Sequence, residues 1–252
     1  MGFKLPDIHE ISIDVAGRRF DGSWYIILHD MVVNYNGHAA STPQRASDAE
    51  EVALSMLRDL VAKHYMPLES IPPDIPPAIR IAAHQYVNSN DDESVTADFV
   101  ASFGPSVASS AVHRQLSWLC VNALSMIVPA WQHMCDSNVA EETFHALRKW
   151  LQAPRHEVDW QTATSPAVAL RDGVRVGDCD ACRLEPIADA VASAARYLQS
   201  ADSADASACL LSVSYAYDEG CHTRDAPDRF EKWLVFDVLQ TSLECLPVHE
   251  VM

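Results

Sequence analysis

Between residues 66 and 77 the chain reads MPLESIPPDIPP, five prolines in twelve positions. Each proline fixes φ and removes a backbone N–H, so neither a helix nor a central strand can run through this stretch. The run predicts an extended connection. It divides the 252-residue chain into a first part at 1–66, a linker at 67–78 and a second part at 79–252. That length is compatible with one or two domains.

The two parts have different patterns. In residues 8–42, Ile11, Ile13 and Val15 alternate with Ser12, Asp14 and Ala16, the period of a half-buried strand. Trp24–Leu28 is rich in aromatic and β-branched residues, and Val32–Tyr35 forms a third such run. Ala16-Gly17, Asp21-Gly22, His29-Asp30 and Asn36-Gly37 punctuate them as turns. Three strands of a β-meander are expected. Ser47 and Glu50 have capping-box spacing ahead of Ala53, Leu57, Leu60, Val61 and His64, which share one helix face. Three strands alone are marginally stable, so this helix is expected to cover the sheet.

After the proline run the period becomes helical. Leu116, Leu119, Ala123, Ile127, Ala130 and Met134 follow three-to-four spacing, with Pro129 expected to kink the helix. Asn138 and Glu141 signal another helix start, with Phe144, Leu147 and Leu151 as its buried face and Pro154 as its stop. Residues 155–183 break the pattern. It resumes at Leu184, Ile187, Val191, Ala195 and Leu198, and a further helix over about 203–218 should end at Gly220. A last helix is expected from near Pro227 through Phe230, Trp233, Phe236, Leu239 and Leu243. The expected fold is therefore α+β: a small antiparallel β-meander with one helix, then a mainly α-helical bundle.

Charge separates the parts as well. The whole chain has a formal net charge of −17. Residues 1–68 hold six Lys and Arg against nine Asp and Glu, whereas residues 69–252 hold twelve against twenty-six. An acidic folded surface attracts basic partners and repels nucleic acid and anionic lipid. Asp178, Asp180, Asp202, Asp205, Asp218, Glu219, Asp225 and Asp228 are the candidate partner-binding residues. Any one of these clusters, taken alone, reads as solvated helix ends.

No motif fixes a reaction. Cys179-Asp-Ala-Cys182 lacks the second pair that a zinc site requires, and Cys221-His222 does not supply it. His9-Glu10, His156-Glu157 and His249-Glu250 do not extend to a zinc-protease helix. His64, His113, His133 and His145 fall within helical patterns and read as packed or surface residues. Phosphate-binding glycine loops and a nucleophile elbow are absent. No catalytic, cofactor or metal residue is expected. The N-terminus has no apolar signal-peptide core, and Leu116–Trp131 is interrupted by Ser117, Asn122 and Ser125. The seven cysteines are odd in number and scattered, as in reduced cytoplasmic proteins. A cytoplasmic protein without membrane contact is expected.

Four segments carry a family resemblance. They are Trp118–Ala123 leading to Val128-Pro129-Ala130-Trp131, then Glu141–Trp150, the Ala-rich Ala188–Leu198, and Ala206–Tyr217. Over about residues 111–218 the chain resembles the Imm5-like immunity proteins of bacterial polymorphic toxin systems. The resemblance implies a helical inhibitor that binds a toxin and blocks its active site, with no functional residue carried over by position. Toxins that cut nucleic acid present basic surfaces, which suits an acidic binder. Two other readings of the residues stand beside this one. An effector chaperone or adaptor would show an exposed apolar groove, and an enzyme with a dispersed site would show a deep pocket where histidines and carboxylates converge.

Overall fold

The computed structural model describes residues 6–43, 48–89, 93–134, 138–152, 181–220 and 229–247. Two compact units emerge, one of Met1–Pro67 with Asn88–Asn90, the other of Leu68–Val87 with Asp91–Met252.

The first unit is a four-stranded antiparallel meander and one helix. The strands are β1 (His9–Val15), β2 (Arg18–Ile27), β3 (Asp30–Tyr35) and β4 (His38–Pro43), in spatial order β1-β2-β3-β4. Three two-residue turns join them, at Ala16-Gly17, Leu28-His29 and Asn36-Gly37. Both residues of each turn have positive φ, between 43° and 79°. This backbone matches the natural twist of a hairpin.

Three sequence expectations are corrected by the sheet. The sheet has a fourth strand, and Asp21-Gly22 lies inside β2 opposite Ser12 and Ile11 of β1. Gly22 serves proximity rather than turning: a Cβ there would lie 2.8 Å from both the Asn34 carbonyl oxygen and Leu57 Cδ1. The second turn sits at Leu28-His29 instead of His29-Asp30, although neither residue is a glycine.

Ile11, Ile13, Phe20, Trp24, Met31, Val33 and Tyr35 cover one face of the sheet. Against them pack Ala53, Leu57, Leu60 and Val61 of α1 (Ala49–His64). The helix begins one residue later than the capping box implies. Asp48 is its N-cap and makes no side-chain cap bond, while Ser47 lies outside the described residues.

In the second unit the proline run is packed, not extended. Leu68–Ser70 forms a 3₁₀ turn, and Ile71 and Ile75 are fully buried. Arg80 donates from Nε to the Ile71 carbonyl (3.1 Å) and from Nη2 to that of Leu68 (2.9 Å). Pro77 opens α2 (Pro77–Asn88), where a missing N–H costs no helical bond. Next come α3 (Glu93–Ala101), α4 (Ala111–Leu124), α5 (Val128–Met134) and α6 (Val139–Gln152).

The helix expected to kink at Pro129 is in fact two helices, α4 and α5. Ending the first before the proline avoids the clash of its ring with the carbonyl of Ser125. Leu116–Leu124 of α4 are buried on every side, which makes α4 the central helix of this unit.

The remaining helices are α7 (Ala181–Ser200), α8 (Ser203–Asp218), α9 (Phe230–Trp233) and α10 (Leu239–Leu243). A π-helical turn, Leu234–Val238, makes α9 and α10 one continuous run. Its wider turn shifts the buried face to Phe230, Leu234, Val235, Val238 and Leu239, away from the spacing expected through Trp233 and Phe236. Alanines 188, 190, 192, 194 and 195 of α7 are all buried, and small side chains let α8 pack closely along it. Gly220 ends the α8 segment with φ +79°.

Candidate functional site

The eight candidate carboxylates divide by position. Asp178, Asp180, Asp225 and Asp228 lie outside the described residues. The other four sit at opposite ends of α8, about 24 Å apart for a helix of sixteen residues. The fold does not gather them into one cluster.

At the N-terminal end, two of them have structural work. Asp202 is the N-cap, and its Oδ1 accepts from the Ala204 N–H at 3.0 Å. Asp205 is partly buried; its Oδ1 accepts from Arg196 Nε at 2.8 Å and its Oδ2 from Ser200 Oγ at 3.1 Å. Asp218 and Glu219 are exposed at the C-terminal end, where the helix dipole gives them no support. Acidic side chains at a helix C-terminus are opposed by the dipole, at a modest local cost.

One carboxylate is removed from the surface. Glu231 is buried, accepts from Ser214 Oγ at 3.0 Å on Oε1, and pairs with Arg229 Nε at 3.2 Å on Oε2. This network joins the start of α9 to α8. Sequence distance hid it, since Ser214 and Glu231 are seventeen residues apart.

A shaped feature lies between α3 and α8, where two adjoining hollows of about 490 and 430 Å³ share Ala101 and Ser203. Ala97, Ala204, Ala208 and Leu211 give the second an apolar part of its lining. Glu93, Asp98 and Asp202 stand among the lining residues, and none of the described lining residues is Lys, Arg or His. Apolar and acidic groups side by side match the chemistry of an aliphatic stem with a cationic head, as in Lys or Arg. Only Asp202 of these acids was among the sequence candidates. Glu93 belongs to the acidic run Asp91-Asp92-Glu93 and Asp98 to no cluster, and neither signals this hollow, because only folding brings α3 against α8.

Among the described residues the histidines do not converge on these hollows. His113 is buried beside Tyr197, His145 is exposed and 3.4 Å from Glu141, and His38 stacks on His64 at 3.6 Å. Cys120 and Cys209 are fully buried, and the hydrogen bond between their thiols, with burial, raises Cys209 well above its ordinary value. Cys209 is therefore a poor nucleophile. Cys179, Cys221 and His222 lie outside the described residues, and Cys182 falls in the first turn of α7. Among the described residues no three His, Cys, Asp or Glu side chains are grouped to hold a metal ion. No described helix is long and apolar enough to cross a membrane.

Compared with family models, curated proteins and solved structures, the chain matches none. The likeness to Imm5-like immunity proteins rests on the sequence segments alone.

Proposed function

We propose that this chain is a cytoplasmic, non-catalytic protein of immunity type that binds and neutralises a protein toxin with a basic surface. The observation that carries the reading is the acid-lined concavity between α3 and α8, set in the part of the chain that holds the acidic excess. A basic partner is steered by the summed charge, and its cationic side chains can be seated by Glu93 and Asp98. Exposed Asp218 and Glu219 add to the field at the other end of α8.

The test is stopped-flow association with the product of the neighbouring gene, across a salt series. The on-rate should fall about tenfold or more from low to physiological salt, with a smaller change in off-rate. Glu93→Gln, Asp98→Asn, Asp218→Asn and Glu219→Gln together should slow association without unfolding the chain, since exposed charges contribute little to stability. Asp30→Asn with Asp59→Asn, exposed in the first unit, should slow it less. A salt-insensitive on-rate, or equal loss from both sets, rejects the reading.

A further inference from the structure

β1 is an edge strand of the meander. Its hairpin with β2 closes on the two-residue turn Ala16-Gly17, so Val15 and Arg18 form a hydrogen-bonded pair. Alternation then commits the backbone groups of His9, Ile11, Ile13 and Val15 to β2. The N–H and C=O groups of Glu10, Ser12 and Asp14 point away from the sheet, and among the described residues none bonds to them. Their side chains lie on the face opposite α1 and are exposed.

A concavity of about 520 Å³ runs along Glu10–Ser12, with Arg19 and Asp21 of β2 and with Glu50 and Leu54 of α1 in its lining. Asp21 is on one face of the sheet and α1 on the other. Groups from both faces share a hollow only around the sheet's edge, so the hollow opens beside β1. At either end of the strand an apolar side chain stands exposed, Ile8 at 65% and Val15 at 40%.

We infer that β1 is a strand-addition site: an extended segment of a protein partner, carrying Lys or Arg at two positions four apart, pairs antiparallel with Glu10–Asp14. Backbone bonds to the three outward-facing residues would give affinity, and alternate side chains would give selectivity. Charge decides the occupant. If a second copy paired about Ser12, using all three outward residues, Glu10 would stand opposite Asp14 twice. Like charges directly opposite destabilise a ladder, and edge charges of this kind discourage self-association. A basic strand in the same register places a cation opposite each carboxylate and a small polar residue opposite Ser12. Arg19 stands opposite Asp14 and holds Asp21 through its Nε at 2.8 Å, so one guanidinium is shared between two carboxylates, and Glu10, Asp14, Asp21 and Glu50 together still outnumber it at this edge. The inference is independent of the acidic helical unit, since every residue it uses belongs to the first unit.

The experiment uses the full chain and an acetylated, amidated heptapeptide with lysine at its second and sixth positions, threonine at the fourth and valine at the third and fifth. Adding it should slow amide exchange at Glu10, Ser12 and Asp14 and move their NMR resonances. Glutamates in place of the lysines should weaken binding about tenfold, and N-methylation of the threonine amide should abolish it. Glu10→Lys with Asp14→Lys should reverse the preference toward the glutamate peptide while leaving α1 protection intact. The inference fails if the three amides are already protected in the free chain, which would mean that another segment of it fills the edge. It fails equally if millimolar peptide shifts nothing in β1, or if lysine and glutamate peptides bind alike. None of these results alters the salt dependence of association, which reads the helical unit.

Discussion

His113 shows how a side chain is fixed by the partners available to it. Its Nδ1 accepts from the Ser109 N–H at 3.1 Å, so the proton must sit on Nε2, which faces the Tyr197 carbonyl oxygen at 3.2 Å. Burial lowers its pKa below the ordinary 6.5, against the weaker pull of the Tyr197 and Leu198 backbone. The sign follows from linkage. In the unfolded chain the imidazole takes up a proton as pH falls below 6.5, while the folded protein resists until lower pH. The contribution of this group is therefore independent of pH above 6.5 and declines as pH falls from there toward the folded pKa. His113→Gln, which cannot titrate, should be less stable at neutral pH but show a shallower decline between pH 6.5 and the onset of carboxylate protonation near about 5. Denaturant unfolding at a series of pH values checks this, and identical slopes for both proteins would assign the decline elsewhere. The sequence reading put His113 among packed or surface residues but could not choose between them. Gly22 is ambiguous for a similar reason: from sequence, a glycine that permits turning looks the same as one that lets Leu57 approach.

Elements were legible where their signal is local. The period-two runs and the helix over 203–218 follow from neighbours within a turn or two, and the structure has them there. Elements whose form depends on tertiary packing were not. Prolines state only which bonds a segment cannot make, so MPLESIPPDIPP read as extended, while the burial of Ile71 and Ile75 was set by groups elsewhere in the fold. The π turn at Leu234–Val238 was invisible for the same reason, since an α-helical period is assumed in reading the stripe. Packing of the proline run has a consequence. Proteases cut exposed backbone that can open locally, and burial of both isoleucines together with the Arg80 bonds should protect this segment. Limited proteolysis under native conditions should leave 68–77 intact. Ile75→Ala should cost about 2–5 kcal/mol and make it cleavable there. Rapid cutting of the unmodified chain within 68–77 would show that the packing does not hold it.

At the scale of the whole chain, charge and fold are legible to different degrees. Net charge is additive along a chain and is legible without structure. The hollow between α3 and α8 depends on segments far apart in sequence, and no motif marks it. The same separation governs stability. Every member of the first unit's hydrophobic cluster comes from β1 to β3 or α1, between Ile11 and Val61. Around α4 the second unit builds its own core, with Leu116, Leu119, Trp131, Tyr197 and Leu234 each fully buried. Two separately built cores should open as separate cooperative units. Leu57 is fully buried at the centre of the first, against the sheet at Gly22. Leu57→Ala removes methyl groups that no neighbour can replace, because the β2 backbone is already close, and should cost about 2–5 kcal/mol. Hydrogen exchange read peptide by peptide should then show protection lost across residues 9–64, with α4, α7 and α8 exchanging as in the unaltered chain. If protection in α7 and α8 falls by the same amount, the chain unfolds as one body. Binding at β1 would then have to be coupled in free energy to the helical unit, and the two surfaces could not be tuned independently.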